Sequence, residues 1–204
     1  WNHWSLWLFP KIHTPVSDSV VATQPLPRGW HNGRKSSFGL IPPPNTDVFI
    51  THRLAVEPVL QFLEEGGRVL LLSSGILQEA ESVLYRTVAY SQGSAGNMGT
   101  VIYPHPALGD FPHQGWCDFG FIDMIQGAYP MSLDAFLPAK VEPITRSIGH
   151  QVTLENKAYL FEAAIGKGVL LACSLNLQPQ CHVDPAAEHL LYSLIGYLQG
   201  GEPD

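Results

Sequence analysis

Residues 47–75 carry the block that most restricts what this chain can fold into. DVFITH at 47–52 is followed by an amphipathic stretch with Val59, Leu60 and Leu63 at helical spacing, then Gly66-Gly67, then RVLLLSSG at 68–75. The spacing is one face of a 3.6-residue period, whereas the flanking runs are short and continuously apolar. This reads as strand, helix, strand. Pro58 suits a first helical turn, where its missing N–H costs nothing, so the helix is predicted from about Val56 to Glu65 with the two glycines as a left-handed stop. Strands that are apolar without alternation are covered on both faces, the condition of parallel strands lying beneath helices. A right-handed βαβ unit is therefore expected.

Around this unit the reading extends in both directions. VVAT at 20–23 is a short buried strand, followed by a long loop to Pro44 rich in Gly, Pro, Asn and Ser. MGTVIY at 98–103 offers a further strand after the polar SQGSAGN, and HPALGDFPHQGW at 105–116 is a Pro/Gly/His-rich loop. DFGFIDMI begins a short helix, and PITRSI at 143–148 is a strand. Residues 158–175, AYLFEAAIGKGVLLACSL, hold two strand-like runs around Ile165-Gly166-Lys167-Gly168, a compact glycine turn that suits an antiparallel hairpin. The clearest helix follows, with Asp184 as N-cap, Pro185 at the first position, an apolar stripe of Leu190, Leu191, Leu194, Ile195 and Leu198, and Gly200-Gly201 at its end. The predicted class is α/β, a mostly parallel sheet with an antiparallel edge hairpin. The opening WNHWSLWLFP places apolar residues on both sides of a strand up to Pro10. Residues 1–12 are read as the closing strand of a preceding β-sandwich or a strand packed across this domain, and 13–204 as one α/β domain. A start on Trp1 instead of Met fits a processed or excised piece.

Charge narrows the partners. With 11 Lys+Arg against 18 Asp+Glu, a net charge of -7 opposes nucleic acid and anionic membrane surfaces, since polyanion affinity comes largely from Lys and Arg displacing counterions. The longest apolar runs, VLLL at 69–72 and VLLA at 169–172, fall far short of the roughly 20 residues that span a bilayer. Cys117, Cys173 and Cys181 allow at most one disulfide and form no CxxC pattern.

Candidate chemistry is sparse. The only small-residue turn of nucleophile-elbow type is Leu72-Ser73-Ser74-Gly75, which lacks the first glycine of GxSxG and has no evident His or acid; Ser74 is nevertheless the candidate nucleophile. Cys173, inside an apolar run, reads as an inert buried thiol. The segment 105–123 gathers His105, Asp110, His113, Cys117, Asp118 and Asp123, atom types that suit zinc at a spacing that matches no metal signature, so hydrogen bonds that fix the loop are expected and no metal or cofactor is assigned. The same segment carries Phe111, Trp116, Phe119 and Phe121 among Asp, Gln and His, the combination a sugar face needs for stacking and hydroxyl hydrogen bonds. Trp116, Phe119, His105, His113 and Asp110 are the candidate ligand-binding residues. Glycoside hydrolysis needs two carboxylates on a rigid scaffold, about 5 or 6.5–9.5 Å apart. Glu64 with Glu65 and Glu79 with Glu81 are local neighbours expected in solvent, while Glu162 sits better, in LFEAA, without an identified partner. The glycines at 93–99 make no GxGxxG.

The blocks DVFITH to GGRVLLLSSG, GTVIYPHPALGDFPHQGWCDF, and LFEAAIGKGVLLACSLNL followed by PAAEHLLYSLIGYL together resemble the glutamine-amidotransferase-like domain near the C-terminus of certain bacterial family-two glycoside hydrolases of the β-galactosidase or β-glucuronidase kind. The opening NHWSLWLFP is similar to the closing strand of the immunoglobulin-like sandwich that precedes that domain. The resemblance implies a flavodoxin-like, three-layer, class I amidotransferase-like fold, similar also to trehalose-utilisation-type proteins, that accompanies a catalytic barrel without performing the cleavage. At the place where class I amidotransferases carry the Cys of GxCxG, this chain has Ser73-Ser74-Gly75. The glycosidase's own acid pair would lie on a (β/α)₈ barrel of about 250 residues, beyond what this chain can form. The expected function is thus a non-catalytic accessory domain in carbohydrate metabolism, with the other domains of the parent glycosidase and a glycan as partners and a periplasmic or secreted location. The rival is a stand-alone hydrolase using Ser74, or a metal held by His105 and His113.

Overall fold

A computed structural model describes residues 6–12, 16–27, 30, 41–54, 57–72, 99–126, 128–137, 139–148 and 156–200. Twelve regular elements appear there: β1 Val20–Ala22, β2 Val48–Thr51, α1 Glu57–Glu64, β3 Arg68–Leu72, β4 Thr100–Ile102, α2 Ile122–Ile125, β5 Met131–Ser132, β6 Val141–Ser147, β7 Lys157–Ile165, β8 Gly168–Cys173, α3 Leu177–Gln180 and α4 Pro185–Leu198. They form an α/β fold on one central eight-stranded sheet of order β1-β2-β3-β8-β7-β6-β4, with β5 paired to β7.

The strand-helix-strand block forms as its residues require. β2 and β3 pair in parallel from Val48↔Arg68 to Thr51↔Leu71, and α1 connects them with Pro58 in its first turn. Val59 and Leu63, four residues apart on α1, are fully buried. The helix stops as a Schellman motif: Gly67 N–H donates to the Phe62 carbonyl (2.8 Å), Gly66 N–H to the Leu63 carbonyl (3.0 Å), and Gly66 takes φ +109°.

Alternation along the strands sorts the core into two faces. Val48, Ile50, Leu70, Leu72, Leu171 and Cys173 pack with α4, whereas Phe49, Val69, Leu71, Leu170 and Ala172 pack with Val59 and Leu63 of α1. Helices therefore cover both faces, and neither side of these strands could remain polar.

The hairpin predicted at the edge lies in the middle. β8 runs parallel to β3 from Arg68↔Val169 to Leu72↔Cys173, and its partner β7 opens the antiparallel half, to which β6 and β4 add outward. The reason is a contact with a part of the chain far away in sequence. The turn between β7 and β8 has φ +60° at Gly166 and no positive φ at Lys167, the signature of a II′ turn, and it docks against the C-terminus of α1. A Cβ at Gly168 would collide with the backbone carbonyls of Leu63 and Gly67.

α4 begins as its sequence requires, with Asp184 Oδ1 accepting the Ala186 N–H (2.9 Å) and Pro185 at the first turn. Its far end is closed by a residue from the sheet: Arg68 Nη1 donates to the Leu198 carbonyl (2.6 Å), a cation at the negative end of the helix. Residues 6–12 pair with no strand among the described residues; Phe9 and Ile12 pack against the α4 side of the core. Cys117, Cys173 and Cys181 are buried and unbridged. None of the described helices is long and apolar enough to cross a membrane.

Two glycine substitutions should act in opposite directions. Gly168→Ala is expected to lower stability by about 1–3 kcal/mol, because carbonyls cannot move aside as a flexible side chain would. Gly196→Ala, inside α4 with nothing within 4 Å of the added methyl, is expected to raise it by about 0.5–1 kcal/mol. Urea unfolding midpoints of the two variants check both signs.

Candidate functional site

The loop after β4 is held at nearly every turn by its own polar residues. It returns along the outer side of β4, where Ile102 N–H donates to the Gly115 carbonyl (2.8 Å) and Cys117 N–H to Thr100 Oγ1 (2.8 Å). His105 caps the single 3₁₀ turn Pro106–Leu108, its Nδ1 accepting the Ala107 N–H (3.1 Å). His113 Nδ1 accepts the Gly115 N–H in the same way (3.1 Å). Asp118 caps the next 3₁₀ turn, Phe119–Phe121, through Gly120 N–H (2.9 Å), and its second oxygen accepts from Trp7 Nε1 (3.1 Å). Asp110 reaches α4, where His189 Nε2 donates to its Oδ1 (2.9 Å). Beneath these bonds Phe111 is buried against Phe9 (centroids 5.6 Å apart), Phe121 (5.3 Å) and the His189 ring (6.0 Å).

This scaffolding divides the candidate ligand-binding residues into two groups. Trp116 is 52% exposed and Phe119 69%, and the Asp110 side chain is also largely in solvent. His105 is turned inward, with its side chain almost wholly covered, and His113 is half-buried. The Trp116 indole N–H donates to Gln114 Oε1 (3.2 Å), so the ring is presented with a polar group at its edge. A loop with this many internal bonds needs little further ordering to present those rings to a ligand.

His105 also belongs to a second cluster. Because its Nδ1 accepts a backbone N–H, the proton of the neutral ring is assigned to Nε2. Nε2 lies 3.8 Å from Glu162 Oε2, and the ring stands edge-on to Tyr197 with centroids 5.5 Å apart. Tyr197 OH donates to the same carboxylate oxygen of Glu162 (2.7 Å). Glu142, on β6, is the register partner of Glu162 on β7. Burial first, and then the hydrogen bond to Glu162 and the charges of Glu162 and Glu142, push the Tyr197 hydroxyl up to about 12, against a smaller opposing pull from Arg68.

The partners of Glu162 were missing from the sequence reading, as were Arg68 and His189. One signal was present: His189, Ser193 and Tyr197 recur every four residues, a polar line beside the leucine stripe of the helix. That line faces the loop, since His189 meets Asp110 and Tyr197 meets His105 and Glu162.

Nucleophile and metal readings find little on the described residues. Ser73, Ser74 and Gly75, the pair Glu79 and Glu81, and Gly93 and Gly96 of the glycines at 93–99 lie outside them. Burial pushes the thiols of Cys117 and Cys173 up to about 12 and that of Cys181 to about 11, so none supplies a thiolate near neutral pH. Among the described residues no group of three His, Cys, Asp or Glu is arranged to hold a metal. Glu64 and Glu65 are exposed, the latter accepting from Gln61 Nε2 (3.0 Å).

Comparison with known families gives a match over residues 49–203 to the family described as Domain of unknown function (DUF8487). No curated protein matches the chain. The matched span runs from β2 through α4 and includes the loop, Glu162 and the polar line of α4.

Two measurements test the clusters. Glu162→Gln should lower the Tyr197 pKa from about 12 while leaving it above the ordinary tyrosine value, because burial, the largest cause, remains. The ultraviolet difference titration against Tyr197→Phe reads this. A folded-state pKa above the unfolded one means that the Tyr197 contribution to stability is complete below pH 10 and falls as pH rises from 10 to about 12. Asp110→Ala should speed hydrogen exchange severalfold at the amides of Gly109 and Phe111, which are bonded within the loop, while amides of β3 and β8 keep their protection.

Proposed function

We propose that this chain, which belongs to the DUF8487 family, is a non-catalytic accessory domain of a bacterial glycoside hydrolase of the family-two kind and engages glycan through the 105–121 loop. In this reading its α/β fold is the flavodoxin-like, class I amidotransferase-like arrangement, and its working location is periplasmic or secreted. The observation that carries the proposal is the pairing of two exposed aromatic rings, Trp116 and Phe119, with a loop secured to α4 through Asp110 and His189. Pyranose rings present apolar C–H faces and peripheral hydroxyls, so their binding sites combine flat aromatics with a few polar groups. Gln114, bonded to the Trp116 indole, and Asp118, next to Phe119 in sequence, supply such groups.

The two motifs behind the resemblance have structural work here. HPAL is the capped 3₁₀ turn at the root of the loop, and GKG is the turn docked on α1. The rival hydrolase reading has less support: the Nδ1 atoms of His105 and His113 are both occupied by backbone N–H groups of the loop itself.

A role against neighbouring domains is favoured by a separate observation. Along residues 6–9, Trp7 and Phe9 turn toward the domain, while Leu6 and Leu8 are 88% and 96% exposed. Two leucines so placed suit coverage by another domain, and this role is compatible with glycan binding on the loop.

Calorimetric titration of the chain with a panel of plant and host oligosaccharides tests the reading. At least one oligosaccharide should bind, and Trp116→Ala should weaken it about tenfold or more, a loss of roughly 1.4 kcal/mol. Failure of the unaltered chain to bind any sugar would remove the glycan role and leave the interdomain one.

A further inference from the structure

Resting on the glycan reading above, we infer that residues 6–9 are a strap that positions the 105–121 loop for its ligand, with Trp7 and Phe9 as the positioning residues. The backbone of the segment gives it no hold of its own: no backbone hydrogen bond joins residues 6–12 to any other described residue. Side chains do the holding, and they alternate. Leu6, Leu8 and Pro10 are exposed while Trp7 and Phe9 are half-buried, so successive residues point to opposite sides and one side lies on the domain.

Both inward rings end on the loop. Trp7 Nε1 donates to Asp118 Oδ2 (3.1 Å), and the other oxygen of the same carboxylate accepts the Gly120 N–H (2.9 Å). One side chain therefore ties the strap to the 3₁₀ turn Phe119–Phe121, through hydrogen bonds that an ionised acceptor strengthens. The indole also lies close to the turn: a Cβ built on Gly120 would stand 3.8 Å from Trp7 Cδ1. Phe9 stacks on Phe111 (centroids 5.6 Å apart) and tilts against His189 (5.5 Å), and Phe111 meets Phe121 edge-on (5.3 Å). The contacts close a circuit, from Trp7 through Asp118 and the turn to Phe121, then Phe111, and back to the strap at Phe9.

The circuit bears on the ligand site through the outer turn. Phe119, one of the two exposed rings, opens that turn, and Trp116 lies two residues before the bridging Asp118. The root of the loop is fixed in another way: His105 Nδ1 caps the Pro106–Leu108 turn, and Leu108 N–H donates to the His105 carbonyl (3.0 Å). Release of the strap therefore loosens the outer turn and leaves the root in place. A ligand that needs the ordered turn binds only the strapped fraction of molecules, so its apparent affinity falls in proportion to that fraction. By linkage the bound ligand in turn holds the strap down.

Amide exchange and calorimetry on the full chain test this together. In Trp7→Phe, which keeps a ring near Gly120 and loses the N–H donor, the amides of Gly120 and Phe121 should exchange about tenfold faster, while those of Leu108 in the loop root and Leu171 in β8 keep their rates. Asp118→Asn, whose carbonyl can still cap Gly120 while its amide N–H groups cannot accept from the indole, should reproduce that pattern. The tightest-binding oligosaccharide of the panel above should bind Trp7→Phe about fivefold or more weakly, and at saturation it should slow exchange at Gly120 in the unaltered chain. Unchanged exchange at Gly120 and Phe121 in both variants overturns the strap and leaves the glycan reading standing. Faster exchange there with undiminished affinity overturns the positioning role, and faster exchange that extends to Leu108 and Leu171 overturns it in favour of a general loss of stability. If no oligosaccharide binds the unaltered chain, the glycan reading falls and this inference with it.

Discussion

The close approach of the β7-β8 turn to the C-terminus of α1 is the constraint on which the rest of the architecture depends. With the carbonyls of Leu63 and Gly67 occupying the space of a side chain at residue 168, only glycine lets β8 begin there. Val169 N–H then donates to the Gly67 carbonyl (3.2 Å), and β8 enters the sheet directly beside β3. Everything in the antiparallel half inherits its position from that step, because β7 follows from the hairpin, β6 from β7, and β4 from β6. Gly166 meets a similar limit, since a Cβ there would lie 2.6 Å from the Glu64 Cα in a backbone conformation of positive φ.

The same placement brings Glu162 under α4. Along β3 and β8 the sheet surface that faces α4 is apolar, built from Leu70, Leu72, Leu171 and Cys173. On β7 it turns polar at Glu162, and α4 answers with Tyr197. The helix is thus held by three different forces along its length: an Asp184 cap at the start, the leucine stripe in the middle, and Arg68 on its last carbonyls. Loss of a leucine would open a cavity at a cost of about 2–5 kcal/mol and the stripe holds several, whereas each polar tie is worth about 0.5–3 kcal/mol, so the stripe holds the helix and the polar groups set what it touches. Through His189 and Tyr197 that includes the loop. Its aromatic rings are accordingly displayed by a rigid support, with Phe111 and Phe121 buried beneath and Trp116 and Phe119 left outside.

The regular elements were legible wherever a local rule governed them. Pro58 with Gly66-Gly67 bounded α1, Asp184-Pro185 opened α4, and Ile165-Gly166-Lys167-Gly168 made a tight antiparallel turn, each for the stereochemical reason that singles those residues out. Local rules failed at sheet order. Nothing in LFEAAIGKGVLLACSL distinguishes a hairpin at an edge from one at the centre, since both need a tight turn and apolar strands; the deciding contact is with α1, a hundred residues earlier. The opening segment shows the same dependence on distant contacts: Leu6, Trp7, Leu8 and Phe9 have the composition of a strand, and residues 6–12 are held here by the Trp7 to Asp118 bond and by Phe9 on Phe111, without strand pairing among the described residues.

Sequence by itself determined the α/β class, the βαβ start, the ends of both long helices and the identity of the aromatic and polar residues gathered at 105–121, because each is set by spacing or by the backbone preferences of Gly, Pro and Asp within a few neighbours. Only the tertiary structure decided which of those loop residues face solvent. His105 and Trp116 are eleven positions apart in the same polar-aromatic loop, yet one is drawn under Glu162 and Tyr197 and the other is left at the surface. That division arises from contacts with α4 and β7, elements distant in sequence, and burial is a property of such long-range packing and not of the residue.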